Sequence, residues 1–124
     1  MSNIKTHKDL RVFQYSFEAG MEIYKLTKSF PKEEMFSLTN QIRRSSRSVS
    51  GNLAKAWRKR RYEKAFVAKL SDCEGEAAET QVWLDYALAC EYMSREKHEL
   101  LYEKYNSILG MLVTMMNQPE KWKL

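Results

Sequence analysis

Glycine and proline are scarce in this chain of 124 residues, with four of the first and two of the second. Strand-rich folds need frequent turn residues, so the scarcity favours a few long helices. Long apolar runs are also missing. No stretch approaches the ~18 apolar residues of a membrane span, and residues 1–10 lack the apolar core of a secretory signal. The two cysteines, Cys73 and Cys90, lie seventeen positions apart and form neither a metal-ligand spacing nor a disulfide framework. A reducing cytoplasm is therefore the expected compartment. Histidine is limited to His7 and His98, and the Glu-x-x-His pairs of di-iron bundles do not occur. Neither histidine has a nucleophile beside it in sequence. No catalytic residue, metal, cofactor or small-molecule substrate is assigned, and the chain is read as non-enzymatic.

What is present is a length suited to one domain and strong helical periodicity. Four helices are expected, at about residues 8–29, 31–60, 62–92 and 95–117. The first carries Leu10, Phe13, Phe17, Met21 and Tyr24 at steps of three and four. Pro31 suits a first helical position, and Glu33 and Glu34 suit the positive end of the second helix. Its stripe is Met35, Leu38, Ile42, Ser45, Val49, Leu53 and Ala56, with a possible bend at Ser50-Gly51. The third has the most regular stripe: Phe66, Leu70, Cys73, Ala77, Thr80, Leu84 and Ala87. Ser94 is a good cap for the fourth, whose stripe is Leu101, Tyr105, Ile108, Leu112 and Met115. The fold expected is an all-α, up-down-up-down four-helix bundle.

Several helices hold apolar residues beyond a single core-facing stripe of about 100°. Val67, Val82, Trp83 and Tyr86 lie off the seam of the third, and Val12, Ile23 and Leu26 off that of the first. The surplus points to a second buried surface and hence to a homo-oligomer.

Charge is divided along the chain. Residues 40–69 hold ten Lys/Arg and one acid, whereas residues 70–103 hold nine acids and two Lys/Arg. Arg43, Arg44, Arg47, Lys55, Arg58, Lys59, Arg60 and Arg61 are the candidate nucleic-acid-binding residues. Guanidinium groups contact phosphate in bidentate fashion, and the flanking aromatics Trp57 and Tyr62 could stack on unpaired bases. Such contacts would hold RNA or DNA through phosphates without reading sequence. Two other readings stay open: pairing of the basic with the acidic helix, within a chain or between subunits, and a plain solvated face.

The chain also resembles the small bacterial four-helix proteins encoded within intervening sequences of 23S rRNA genes. The matching segments are Lys8-Asp9-Leu10-Arg11-Val12-Phe13, Ile23-Tyr24-Lys25-Leu26-Thr27, Phe30-Pro31-Lys32-Glu33-Glu34, Leu38-Thr39-Asn40-Gln41-Ile42-Arg43-Arg44, Ser48-Val49 with Asn52-Leu53-Ala54, and Glu79-Thr80-Gln81. The resemblance implies a four-helix protomer assembling into a homopentameric ring. It also implies kinship with the nucleic-acid-binding accessory protein of diversity-generating retroelements. Two positions depart from the family pattern. Ser50-Gly51 stands where a proline is usual, and Lys55-Ala56 stands where Glu-Gly is usual, which exchanges an acid for a base.

Overall fold

The structure is a computed structural model that describes residues 4–124. Residues 1–3, part of the stretch read above for a secretory signal, lie outside the described residues. Among the described residues there are four α-helices and no strand: α1 (Arg11–Thr27), α2 (Leu38–Arg58), α3 (Glu63–Ala89) and α4 (Arg95–Asn117). Short 3-10 turns precede α1 (His7–Asp9), precede α2 (Lys32–Glu34) and follow α4 (Pro119–Trp122).

Three helix ends differ from the expected ones, each for a local reason. Thr6 caps the turn at His7–Asp9 and Asp9 returns a bond to the Thr6 amide, which leaves Leu10 extended and starts α1 at Arg11 rather than at residue 8. Pro31 has an extended ψ of 145° and opens a 3-10 turn instead of α2. The Glu34 carboxylate then accepts the Ser37 hydroxyl at 2.6 Å, the Leu38 amide at 3.4 Å and the Tyr92 hydroxyl at 2.8 Å. It therefore delays the start of α2 to Leu38 and ties that start to the α3–α4 connection. At the other end of α3, the amides of Glu91 and Tyr92 bond back to Leu88 and Ala87 at 2.9 and 2.8 Å, a Schellman closure. Glu91 occupies the left-handed position at φ 63°, where glycine is usual. Glu91→Gly is expected to stabilise the protein by about 1 kcal/mol in urea unfolding, through relief of that strain.

The Glu34 cluster also makes stability depend on pH. The Ser37 and Tyr92 hydroxyls hold the Glu34 carboxyl below its usual range. The bond to Glu34, with burial, pushes the Tyr92 phenol up to about 12. A lowered carboxyl contributes stability above its unfolded pKa and loses it as pH falls through the folded value. A raised phenol loses its contribution as pH rises from about 10 towards 12. Thermal melts of the wild type are thus expected to fall off at both extremes, and Glu34→Gln is expected to flatten both flanks.

The helices enclose one main core. α1 packs on α2 and α4, and α3 packs on the same two. Every residue of the stripes expected for α3 and α4 is buried, as are Leu38, Ile42, Ser45, Val49, Leu53 and Ala56 of α2. Met35, which precedes α2, is exposed. In α1 the buried face is Val12, Ser16, Ala19, Ile23 and Thr27, whereas Phe17 and Met21 are 55% and 43% exposed. Of the stripe expected for this helix, Leu10 is buried and Phe13 and Tyr24 are half-buried, while Phe17 and Met21 face outward; Val12 and Ile23, expected as surplus for a subunit contact, belong to the core instead. The buried Ser16, Ser45, Thr80 and Gln81 find polar partners across helices: Ser16 with half-buried Ser50 at 3.0 Å, Ser45 with Thr80 at 2.8 Å and Gln81 with exposed Asn106 at 2.8 Å. Among the described residues, buried Thr39 Oγ1 and Tyr105 OH have no partner. Cys73 is buried and Cys90 exposed, both as free thiols; burial pushes the Cys73 thiol up to about 12, so it is inert at neutral pH.

Candidate nucleic-acid interface

The i, i+4 repeat of α2 aligns Arg43, Arg47, Gly51 and Lys55 in one row and Asn40, Arg44, Ser48 and Asn52 in the next. These side chains, with Met35 and Thr39, line an open groove of about 590 Å³. The lining holds four cations and no carboxylate. Residues Ser50 and Gly51 lie within an unbroken α2.

The cations are not equivalent. Arg44 reaches across to α3, where it lies 2.7 Å from Glu79 and 3.6 Å from Glu76. Glu79 is also fixed by the Trp83 indole N–H at 3.1 Å. The basic and acidic halves of the sequence thus meet within one chain, and Arg44 is the residue of α2 that joins them. Arg43 turns the opposite way, towards α1. Its Nε donates to Thr27 Oγ1 at 2.7 Å, while the Thr27 hydroxyl donates to the Ile23 carbonyl at 2.8 Å. The Arg43 guanidinium lies 5.0 Å from the Tyr24 ring centroid, with Arg47 at 5.9 Å and Lys28 at 4.9 Å around the same ring. Attraction to the ring face offsets part of the repulsion among the three cations. Among the described residues, none of these three, nor Lys55, forms an ion pair with a carboxylate. Lys28 was not among the residues singled out from sequence. Its i, i+4 spacing from Tyr24 was the available signal.

The remaining candidates lie away from this groove, at the α2–α3 turn. Arg58, Lys59 and Arg61 are exposed there. Arg60 folds back: its guanidinium stacks 3.5 Å from the Trp57 ring centroid and its Nε donates to the Trp57 carbonyl at 2.7 Å. Burial, and the charge of Arg58, lower the Arg60 pKa. Trp57 itself is 5% exposed, covered by Arg60 and edge-on to Trp122. It has no free face for a base, which corrects its expected stacking role, whereas Tyr62 is exposed.

The histidines have local partners. His98 Nε2 is 2.8 Å from Asp85 and its ring lies over Tyr102, while His7 packs edge-on against Phe13. Among the described residues, no three His, Cys, Asp or Glu side chains are grouped to hold a metal ion. No helix of the described residues is long and apolar enough to cross a membrane.

Comparison with known proteins gives two findings. A family model described as 23S rRNA-intervening sequence protein matches residues 8–114. The chain is also similar to a solved structure from Bacteroides thetaiotaomicron VPI-5482, a protein of unknown function from the S23 ribosomal protein family. Identity is 28% and the TM-score 0.76, over 86% of this chain and 95% of that one. No curated protein matches.

Proposed function

Since the chain belongs to the 23S rRNA-intervening sequence protein family, we propose that it is a non-enzymatic, oligomeric accessory or scaffold protein that holds nucleic acid by its phosphates along the outer face of α2. One observation carries this reading: the α2 groove gathers four cations without an acid in its lining, and among the described residues only Arg44 of the four is neutralised by carboxylates. A row of unneutralised guanidinium groups suits a polyanion, and contacts to phosphates position it without reading its sequence. Arg58, Lys59 and Arg61 extend the positive field at one end of α2 and steer the polymer towards the groove.

The proposed protomer is an up-down-up-down bundle in the cytoplasm, assembled with its copies into a ring, with five copies as the resemblance implies. The bond between Ser16 and Ser50 and the bond that Arg43 donates to Thr27 support antiparallel α1 and α2. The exposed Val82 and Tyr86 on α3 and Leu100 on α4 are apolar surface suited to a subunit contact. A second reading, a protein-interaction module whose basic and acidic helices join subunits without nucleic acid, draws on Arg44, Glu76 and Glu79, which already pair in that manner inside the chain.

Light scattering of the protein with a short structured RNA or a duplex DNA separates the two. An oligomer that gains mass with nucleic acid at low salt and loses it at high salt is the expected result. An oligomer that ignores both polymers favours the interaction module.

A further inference from the structure

The cations around Tyr24 continue into an apolar stripe. Phe13, Phe17, Met21 and Tyr24 of α1, with Lys28 at its C-terminal cap, follow one another at steps of three and four, so they share one flank of the helix. That flank borders α2, because Ser16 bonds Ser50, a Cβ built at Gly20 would lie 4.0 Å from the Ser46 carbonyl, and Tyr24 and Thr27 meet Arg43. From Phe13 to Lys28 the flank is about 22 Å long at the helical rise. One end is cationic. The other is aromatic, with Phe13 and Phe17 stacked at 6.2 Å and Phe17 55% exposed.

A partner for this flank must bring negative charge to one end and flat apolar groups to the other. Unpaired nucleic acid does both in one polymer. Its bases expose π-faces that stack on aromatic side chains, whereas the bases of a duplex are already stacked on one another. A second copy of the chain fits less well. Its acidic α3 face already holds Arg44 against Glu76 and Glu79, and Lys69 against Asp72.

We propose that the α1–α2 flank is a single-strand site, in which Lys28, Arg43 and Arg47 hold phosphates and Phe17, supported by Phe13 and Met21, receives an unpaired base. This rests on the phosphate-binding reading above and adds the class of strand. Met21 and Phe17 face solvent for this purpose, and the seam of Ser16, Ala19 and Thr27 builds the core in their place.

The test is fluorescence anisotropy with a short labelled oligothymidylate, the same strand carrying abasic sites, and a duplex of equal length. Phe17→Ala is expected to weaken binding of the intact single strand roughly tenfold and to leave the duplex and the abasic strand unchanged. Phe17→Leu, which keeps the apolar surface but lacks the ring, should behave in the same way. Lys28→Glu should weaken all three probes. Equal affinity of the wild type for single strand and duplex, or indifference of the single strand to Phe17→Leu, overturns the single-strand site and leaves phosphate binding standing. Failure of every probe to bind overturns both. Dissociation of the oligomer by Phe17→Ala, followed by light scattering, makes the flank a subunit interface and overturns the assignment.

Discussion

Exchanging Arg43 and Arg47 together for Glu is expected to weaken nucleic-acid binding by about 100-fold, equivalent to roughly 3 kcal/mol, while the fold and the oligomer survive. Both side chains line the α2 groove and face the Tyr24 ring, and no carboxylate pairs with either among the described residues. The change removes two phosphate contacts and sets two negative charges against the polymer. The salt dependence of binding should fall by about one phosphate contact for each cation lost. Loss of the bond from Arg43 to Thr27 costs stability on the order of 1 kcal/mol, too little to unfold the domain. Arg44→Glu is the informative contrast. It sets a third carboxylate beside Glu76 and Glu79, so its main effect falls on the α2–α3 contact rather than on binding. Anisotropy titrations and circular-dichroism melts of the two variants separate these effects. Equal loss of binding in both would mean that the face acts only as a diffuse positive field.

Leu70→Ala is expected to destabilise the protein by about 2–5 kcal/mol. Leu70 is fully buried on α3, the helix that packs on both α2 and α4, within the seam from Phe66 to Ala87. Truncation there loses the transfer free energy of the removed carbons and leaves a cavity that two packed neighbours cannot close. Against a domain stability of roughly 5–15 kcal/mol, this is a large share. Urea unfolding should show a lower midpoint with an unchanged slope. Phe17→Ala, at a side chain already more than half exposed, should scarcely move the midpoint. A Leu70→Ala cost under about 1 kcal/mol would contradict the placement of this seam at the centre of the core.

The α3 and α4 seams were legible because large apolar and small residues recur at alternating steps of four and three, a regularity that holds on α3 even beside the off-seam Val82, Trp83 and Tyr86. α1 was misleading for a physical reason. Its buried seam includes Ser16 and Thr27, whose hydroxyls are satisfied by the Phe13 and Ile23 carbonyls inside the helix, so a hydropathy pattern passes over them. The larger Phe17 and Met21 drew the stripe to the surface. The start of α2 was missed because Glu34 bonds Ser37 and Tyr92, and the second of these lies 58 positions away. The end of α3 was missed because a glutamate, not a glycine, takes the left-handed position.

For the candidate interface, the alignment of Arg43, Arg44 and Arg47 followed from helical spacing, whereas their separate fates did not. The acids that hold Arg44 sit 32 and 35 positions later, on another helix. Periodicity within one segment carries no information on which side chains of a neighbouring helix will face it. Trp57 likewise looked available for stacking until the fold set Arg60 and Trp122 over it.

The most direct measurement is the affinity for a defined nucleic acid across a series of salt concentrations. With Lys28, Arg43, Arg47 and Lys55 each meeting a phosphate of a single strand, log K should fall against log salt with a slope of about −3 per protomer. A slope near zero with affinity retained, or no binding even at low salt, would contradict phosphate recognition by this face.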